Sequence, residues 1–247
     1  MDQKIEIGER DALLHVDVQA TFMPGGGLAV ADGDKILPAV LALQAHFDTR
    51  GQIYCTLDQH PYGHISLASS YVGLAPYAQL DLKAIAGWTS KKNGIAKDAL
   101  FDLRDLTRYL REVGSQTLWP DHGIAGSVEA DMHPALWNAA HGHFDFVLIK
   151  GYDAKVDSYS GFRDNLKQTT GLGATMRENG VERIFVDGLA FDFCVGWSAI
   201  DAAAEGFEVY LIEEATRSVN LPGTVDRMRA DLAAAGVKLV TAADVIG

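Results

Sequence analysis

Apolar residues along this chain come in short, nearly unbroken runs separated by longer mixed stretches. Asp11-Ala-Leu-Leu-His-Val-Asp17-Val-Gln19, Gln52-Ile-Tyr-Cys-Thr-Leu-Asp58, Phe144-Asp-Phe-Val-Leu-Ile-Lys150, Arg183 to Asp187, Glu208 to Ile212 and Lys238 to Thr241 are such runs. Runs of this length without strict alternation read as strands covered on both faces. Between them the pattern is helical over 34–50, 99–112, 130–141, 172–179, from Cys194 to Gly206, and over 224–235. Asp34 is the expected N-cap of the first helix, Pro38 is tolerated early in it, and Gly51 ends it. Strand and helix alternating in this way predict an α/β fold. The expected architecture is a doubly wound, mainly parallel sheet of about six strands with helices on both faces.

Length and composition fit that picture. The 247 residues suit one domain spanning 1–247, with a long loop or small subdomain inserted at about 61–118. The chain is 48% apolar and 22% charged, with a formal net charge of -12. That excess of acid argues against nucleic acid or an anionic membrane as partner but does not identify a substrate, because surface acid mainly serves solubility. Assembly into a homo-oligomer is compatible with the sequence. Two cysteines, Cys55 and Cys194, make no disulfide framework. The N-terminus is too polar for a signal peptide and no apolar run approaches a membrane span, so the expected location is cytoplasmic. Gly25-Gly26-Gly27 does not form the dinucleotide-binding pattern and reads as a turn.

In doubly wound sheets ligands bind outside the carboxyl ends of the strands. Four runs deliver Asp17, Asp58, Lys150 and the turn containing Cys194 to that edge. Cys194 falls in the first turn of a helix, where the macrodipole lowers a thiol pKa. Asp17 beside it is a candidate general base, Lys150 a candidate electrostatic partner, and the preceding turn a source of oxyanion-binding N–H groups. A Cys/Asp/Lys set without a histidine base points to hydrolysis of an amide or imide through a thioester. Asp58-x-His60, with the distant His122, offers oxygen and nitrogen ligands for one divalent ion. His64 offers a fourth ligand, though it reads better as a residue behind that set or at the surface. His15 reads as a packed core residue, and His46, His133, His141 and His143 as solvent-facing. Cys55 reads as a buried strand residue and Asp192 as the N-cap of the Cys194 helix.

These residues resemble a known family. Val16-Asp-Val-Gln19 with Phe22, Asp58-x-His60, Trp119-Pro-Asp-His122, Lys150-Gly151 and Gly188-Leu-Ala-Phe-Asp-Phe-Cys194-Val195 are together similar to the nicotinamidase/pyrazinamidase family of metal-containing cysteine hydrolases with the isochorismatase-like fold. The resemblance implies Asp17, Lys150 and Cys194 as catalytic triad, and Asp58, His60 and His122 as ligands of one divalent metal, zinc or iron, with manganese also admitted. It implies a cis peptide at Leu189–Ala190 that aims the N–H groups of Ala190 and Cys194 at the oxyanion. Phe22 and Trp119 match residues that sandwich a pyridine ring whose nitrogen completes the metal's coordination. Leu189 and Tyr159 are further candidate substrate contacts. The implied reaction is nicotinamide to nicotinate and ammonia, with pyrazinamide as side substrate, in NAD salvage. Phe193 stands where members of the family often carry histidine.

Two alternatives remain at this level. One is a metal-free cysteine amidase of the same fold acting on carbamoyl or ureido substrates. The other, from a different class, is a non-catalytic small-molecule binding protein with an unreactive Cys194. A vinyl-ether hydrolase is disfavoured because that chemistry does not need the cysteine.

Overall fold

The computed structural model describes residues 4–89, 94–139 and 143–247. In chain order its elements are β1 (Asp11–Val16), α1 (Leu37–Phe47), β2 (Gln52–Asp58), β3 (Gln79–Asp81), α2 (Leu103–Val113), β4 (Ser115–Thr117), α3 (Pro134–Ala139), β5 (Phe146–Lys150), α4 (Leu172–Glu178), β6 (Arg183–Leu189), α5 (Gly196–Ala204), β7 (Glu208–Arg217), α6 (Thr224–Ala234), β8 (Lys238–Val240) and α7 (Ala242–Ile246). Six strands form one sheet in the order β5-β2-β1-β6-β7-β8, and every pairing in it is parallel. The doubly wound expectation holds, with the strand order reversing beside β1.

The apolar strands are buried from both sides. Leu13, Cys55 and Phe185 pack with Val40, Leu43 and Phe47 of α1, Leu136 of α3 and Val245 of α7. Leu14, Tyr54 and Val186 pack on the other face with Leu172 of α4, Ala199 of α5 and Leu232 of α6. The segment after β2 adds a third cluster, including Ile65, Tyr71, Phe101, Leu106 and Leu110. Cys55 is fully buried, and His15 is too, held between Asp187 (2.7 Å) and Gln44 (2.8 Å). Among the described residues no helix is long and apolar enough to cross a membrane.

Several boundaries differ from the sequence pattern, each for a local reason. Asp34 does not cap α1; it lies in a 3₁₀ turn, Gly33–Ile36, that feeds directly into a helix with Pro38 in its first turn. α2 starts later than Ala99 because Asp102 forms a capping box, accepting from the N–H groups of Arg104 (2.8 Å) and Asp105 (2.9 Å). α3 starts at Pro134, after a separate 3₁₀ turn at Val128–Ala130. The predicted end of that helix, with His141, lies outside the described residues. His143 is exposed, whereas His46 and His133 are half-buried. The antiparallel pair β3–β4 and the Thr241-capped α7 are too short to leave a periodic signal.

At the point where the strand order reverses, β1 and β6 come unusually close. Gly188 has φ +113, and a Cβ there would stand 1.9 Å from the carbonyl oxygen of Val16. Only glycine fits this register, and the approach sets the end of β1 against the turn that leads to Cys194.

Candidate active site

β1 ends in a sharp turn at Asp17, whose φ of +50 is rare outside glycine. The turn is fixed by Thr56 of β2, which accepts the Asp17 N–H at its carbonyl (3.1 Å) and donates its hydroxyl to Asp17 Oδ1 (2.6 Å). Gln19 then ties the ends of β1 and β2 together: its Oε1 accepts from the Asp58 N–H (2.7 Å) and its Nε2 donates to the Asp58 carbonyl (3.0 Å). Thr56 and Gln19 are thus positioning residues, and the interior of an apolar run gave no reason to single out Thr56.

Lys150, at the end of β5, is 1% exposed. Its Nζ lies 3.0 Å from Asp17 Oδ2 and donates to Asp58 Oδ1 (2.9 Å), the Ser158 carbonyl (3.0 Å) and Cys194 Sγ (3.4 Å). Burial opposes its charge, but Asp17 and Asp58 outweigh burial and hold the ammonium well above its usual range. Apart from this ion pair with Nζ, Asp17 Oδ2 has no partner among the described residues. Asp17 lies within side-chain hydrogen-bonding reach of the Cys194 thiol and is an acceptor for its proton.

Cys194 does not begin a regular helix. It sits in a π-type turn, Phe191–Val195, with a kink at Phe193 (φ -137, ψ -105) before α5 takes over. The Ala190 carbonyl accepts from the N–H groups of Phe193 (3.0 Å) and Val195 (3.1 Å). The Leu189–Ala190 peptide is cis, as the resemblance implies. The sequence argument for a lowered thiol pKa is overturned: burial pushes Cys194 well above its usual range, against the opposing pull of Lys150. Burial also raises Asp17, which suits it to take a proton and give it back.

Asp192 does not cap this helix either. Its carboxylate accepts from Val219 N–H (2.8 Å), Asn220 N–H (2.9 Å) and the Thr224 hydroxyl (2.5 Å), clamping the loop after β7.

Asp58, His60 and His122 are all buried, and their ligand atoms lie within 4.8 Å of one another. His60 Nδ1–H donates to the Gly151 carbonyl (3.0 Å) and His122 Nδ1–H to the Pro120 carbonyl (2.8 Å). Those bonds turn both Nε2 atoms toward Asp58 Oδ2, at 3.1 Å and 3.3 Å. Two imidazoles oriented through Nδ1, with Nε2 converging on a carboxylate, are the donor set a divalent ion requires. The residues therefore fit a metal. Burial alone would raise the Asp58 carboxyl, but His60, Lys150 and His122 drive it well below the usual range. Gly151 (φ +74) keeps His60 in place, because a Cβ there would meet the ring at 2.5 Å.

Phe22, Leu28, Trp119, Tyr159, Ala190, Phe193 and Val219 wall the crevice between the thiol and this donor set. Trp119 meets Phe193 edge to face (centroids 4.8 Å apart), and its Nε1–H donates to the Tyr159 hydroxyl at 3.2 Å. Leu189 is not among the wall residues; its side chain is fully buried in the core on the α1 face. Leu28, Val219 and the acidic Asp157 line the crevice without any sequence signal. A wide surface groove lies at the opposite edge of the sheet. Its walls carry the ion pairs Arg183–Asp11, Arg177–Glu205 and Arg10–Glu182, with no nucleophile or donor set among the described residues.

A parallel α/β sheet carrying a buried thiol, carboxylate and ammonium beside a His-His-Asp donor set defines a thiol-centred, cation-binding class of fold. The isochorismatase domain matches residues 11–244, and the chain belongs to that family. Over 236 residues it is 33% identical to the nicotinamidase of Acinetobacter baylyi, covering 95% of this chain and 94% of the relative. The structure of the Acinetobacter baumanii nicotinamidase pyrazinamidase superposes with a TM-score of 0.78 at 33% identity, covering 96% of this chain and 98% of that one. A pyrazinamidase of Pyrococcus horikoshii in complex with zinc gives a TM-score of 0.63 at 27% identity, over 94% and 99% of the two chains.

Proposed function

We propose that this protein hydrolyses nicotinamide to nicotinate and ammonia, and accepts pyrazinamide, through a thioester on Cys194. The observation that carries the reading is a buried Lys150 ammonium that contacts both Asp17 and the Cys194 thiol, in a crevice that Asp58, His60 and His122 also line. Asp17 takes the Cys194 proton, and the thiolate attacks the carboxamide carbon. The N–H groups of Ala190 and Cys194 stabilise the oxyanion. Asp17 returns the proton to the leaving ammonia, then takes one from the water that opens the thioester. Phe22 and Trp119 flank the pyridine ring, and Tyr159, held by Trp119, closes the far wall. A divalent cation on Asp58, His60 and His122, when bound, supplies a Lewis-acidic anchor for the ring nitrogen. Zinc is our choice for that ion, with iron and manganese as the other candidates. Two free thiols and a role in NAD salvage support a reducing, cytoplasmic setting.

The decisive experiment is ammonia release from nicotinamide by the wild-type protein, with and without chelator, and by His60→Ala. We expect a loss of about 10- to 100-fold or more on chelation, recovered by added metal in the wild type but not in His60→Ala. Full activity in metal-stripped His60→Ala would instead support the metal-free amidase. The acid limb of kcat/KM should reflect Asp17, because the base works only when ionised. Its apparent pKa should lie above 3.8, the ordinary aspartate value, since burial raises it. A limb at or below that value in a pH–rate profile would assign the base elsewhere.

A further inference from the structure

One ionisable group in the crevice has no part in the reaction above. Asp157 is 2% exposed and lines the crevice. Its Oδ2 accepts from Gln116 Nε2 (2.7 Å) and its Oδ1 from the Ser158 N–H (2.9 Å). A carboxylate oxygen of Asp157, a ring nitrogen of His60 and one of His64 lie within 4.8 Å of one another.

This second grouping is not a second metal centre. His64 has both nitrogens engaged, Nδ1 with the Ser66 hydroxyl (2.8 Å) and Nε2 with the Val156 carbonyl (3.3 Å). His60 already points Nε2 at Asp58 and Nδ1 at a backbone carbonyl. What Asp157 adds is charge. With Asp17 ionised, as a base must be, and His60 and His122 neutral, as metal ligands must be, the buried carboxylates of Asp17, Asp58 and Asp157 outnumber the one buried ammonium, Lys150. The crevice then carries an excess of two negative charges, which burial makes costly. A monovalent ion leaves one charge uncompensated, whereas a divalent ion brings the crevice to neutrality.

We propose that Asp157 is a positioning residue that matches the crevice to a divalent cation by charge, without ligating it. The inference rests on the metal half of the reading above. The carboxylate raises divalent affinity from outside the ligand set, in the way that groups behind a metal's ligands tune its binding.

The test uses the full-length protein, stripped of metal and titrated with Zn²⁺ and with Mn²⁺ in competition with a chromophoric chelator. Asp157→Asn should weaken both ions by about 10- to 100-fold. Gln116→Met, which removes the hydrogen-bond donor but keeps the charge, and Asp157→Glu, which keeps both, should change affinity by less than about threefold. Thermal unfolding checks that each variant is folded. Unchanged affinity in Asp157→Asn overturns the inference. So does an equal loss in Gln116→Met or a tenfold loss in Asp157→Glu, either of which makes the effect one of packing. Absence of metal binding in the wild type would sink the metal half of the functional reading itself. Ammonia release, measured separately, reports on the hydrolysis.

Discussion

Cys194→Ala is expected to abolish ammonia release from nicotinamide, lowering kcat by roughly 10⁵- to 10⁶-fold, the scale on which a covalent nucleophile acts. The side chain is 7% exposed and packs with Phe191, Val195 and Met228. Removing one sulfur from that setting costs about 1 kcal/mol of stability, so the variant should fold. It also keeps Asp17, Lys150 and the donor set, and should still bind metal and ligand. Steady-state ammonia assays, with nicotinate binding measured on the same sample, check both halves. Retention of more than about a hundredth of the activity would mean that water attacks the amide directly. A thiol-alkylation assay is a poorer probe, because a thiol raised by burial reacts slowly whether or not it is catalytic.

Lys150→Met is expected to cost both activity and stability. The ammonium lies 2.9 Å from Asp58 Oδ1 and 3.0 Å from Asp17 Oδ2, and none of the three groups sees much solvent. Removing one partner from a buried charge cluster typically destabilises by about 3–5 kcal/mol, because the remaining charges are left uncompensated. Asp17 should then be neutral at working pH and lost as a base. The double variant Lys150→Met/Asp17→Asn should recover much of the stability and none of the activity. Urea unfolding curves alongside ammonia release distinguish this from a cavity effect, which the second substitution would not relieve.

The sheet was legible in the sequence because its strands are buried on both faces and so leave unbroken apolar runs. The same runs end on Asp17, Asp58 and Lys150, so the candidate catalytic edge was legible with them. His60 and His122 are joined by loop-to-loop pairing, with the His60 N–H bonded to the Gly123 carbonyl at 2.8 Å. No periodicity marks such a contact; donor chemistry alone suggested the set, weakly, and the family resemblance strengthened it. Asp157 and Val219 reach the crevice the same way and passed unnoticed. The Cys194 pKa went wrong for an energetic reason. A helix terminus contributes a fraction of a charge, whereas full burial removes the thiolate's hydration, and the larger effect wins. Asp192 went wrong for a topological one. Its local position suits a cap, but a loop arriving from β7 offered it two N–H groups and a hydroxyl.

That Asp192 clamp makes the loop after β7 a replaceable cartridge. Its grip depends on two successive backbone N–H groups, at Val219 and Asn220, and on one hydroxyl at Thr224. Backbone N–H groups are common to every residue but proline, so the identity of the side chain at 219 is free as long as the hydroxyl is kept. Val219 faces the crevice from this loop. Pocket width can therefore drift, or be engineered, by exchanging one short segment while the thiol, its base and the donor set stay where they are.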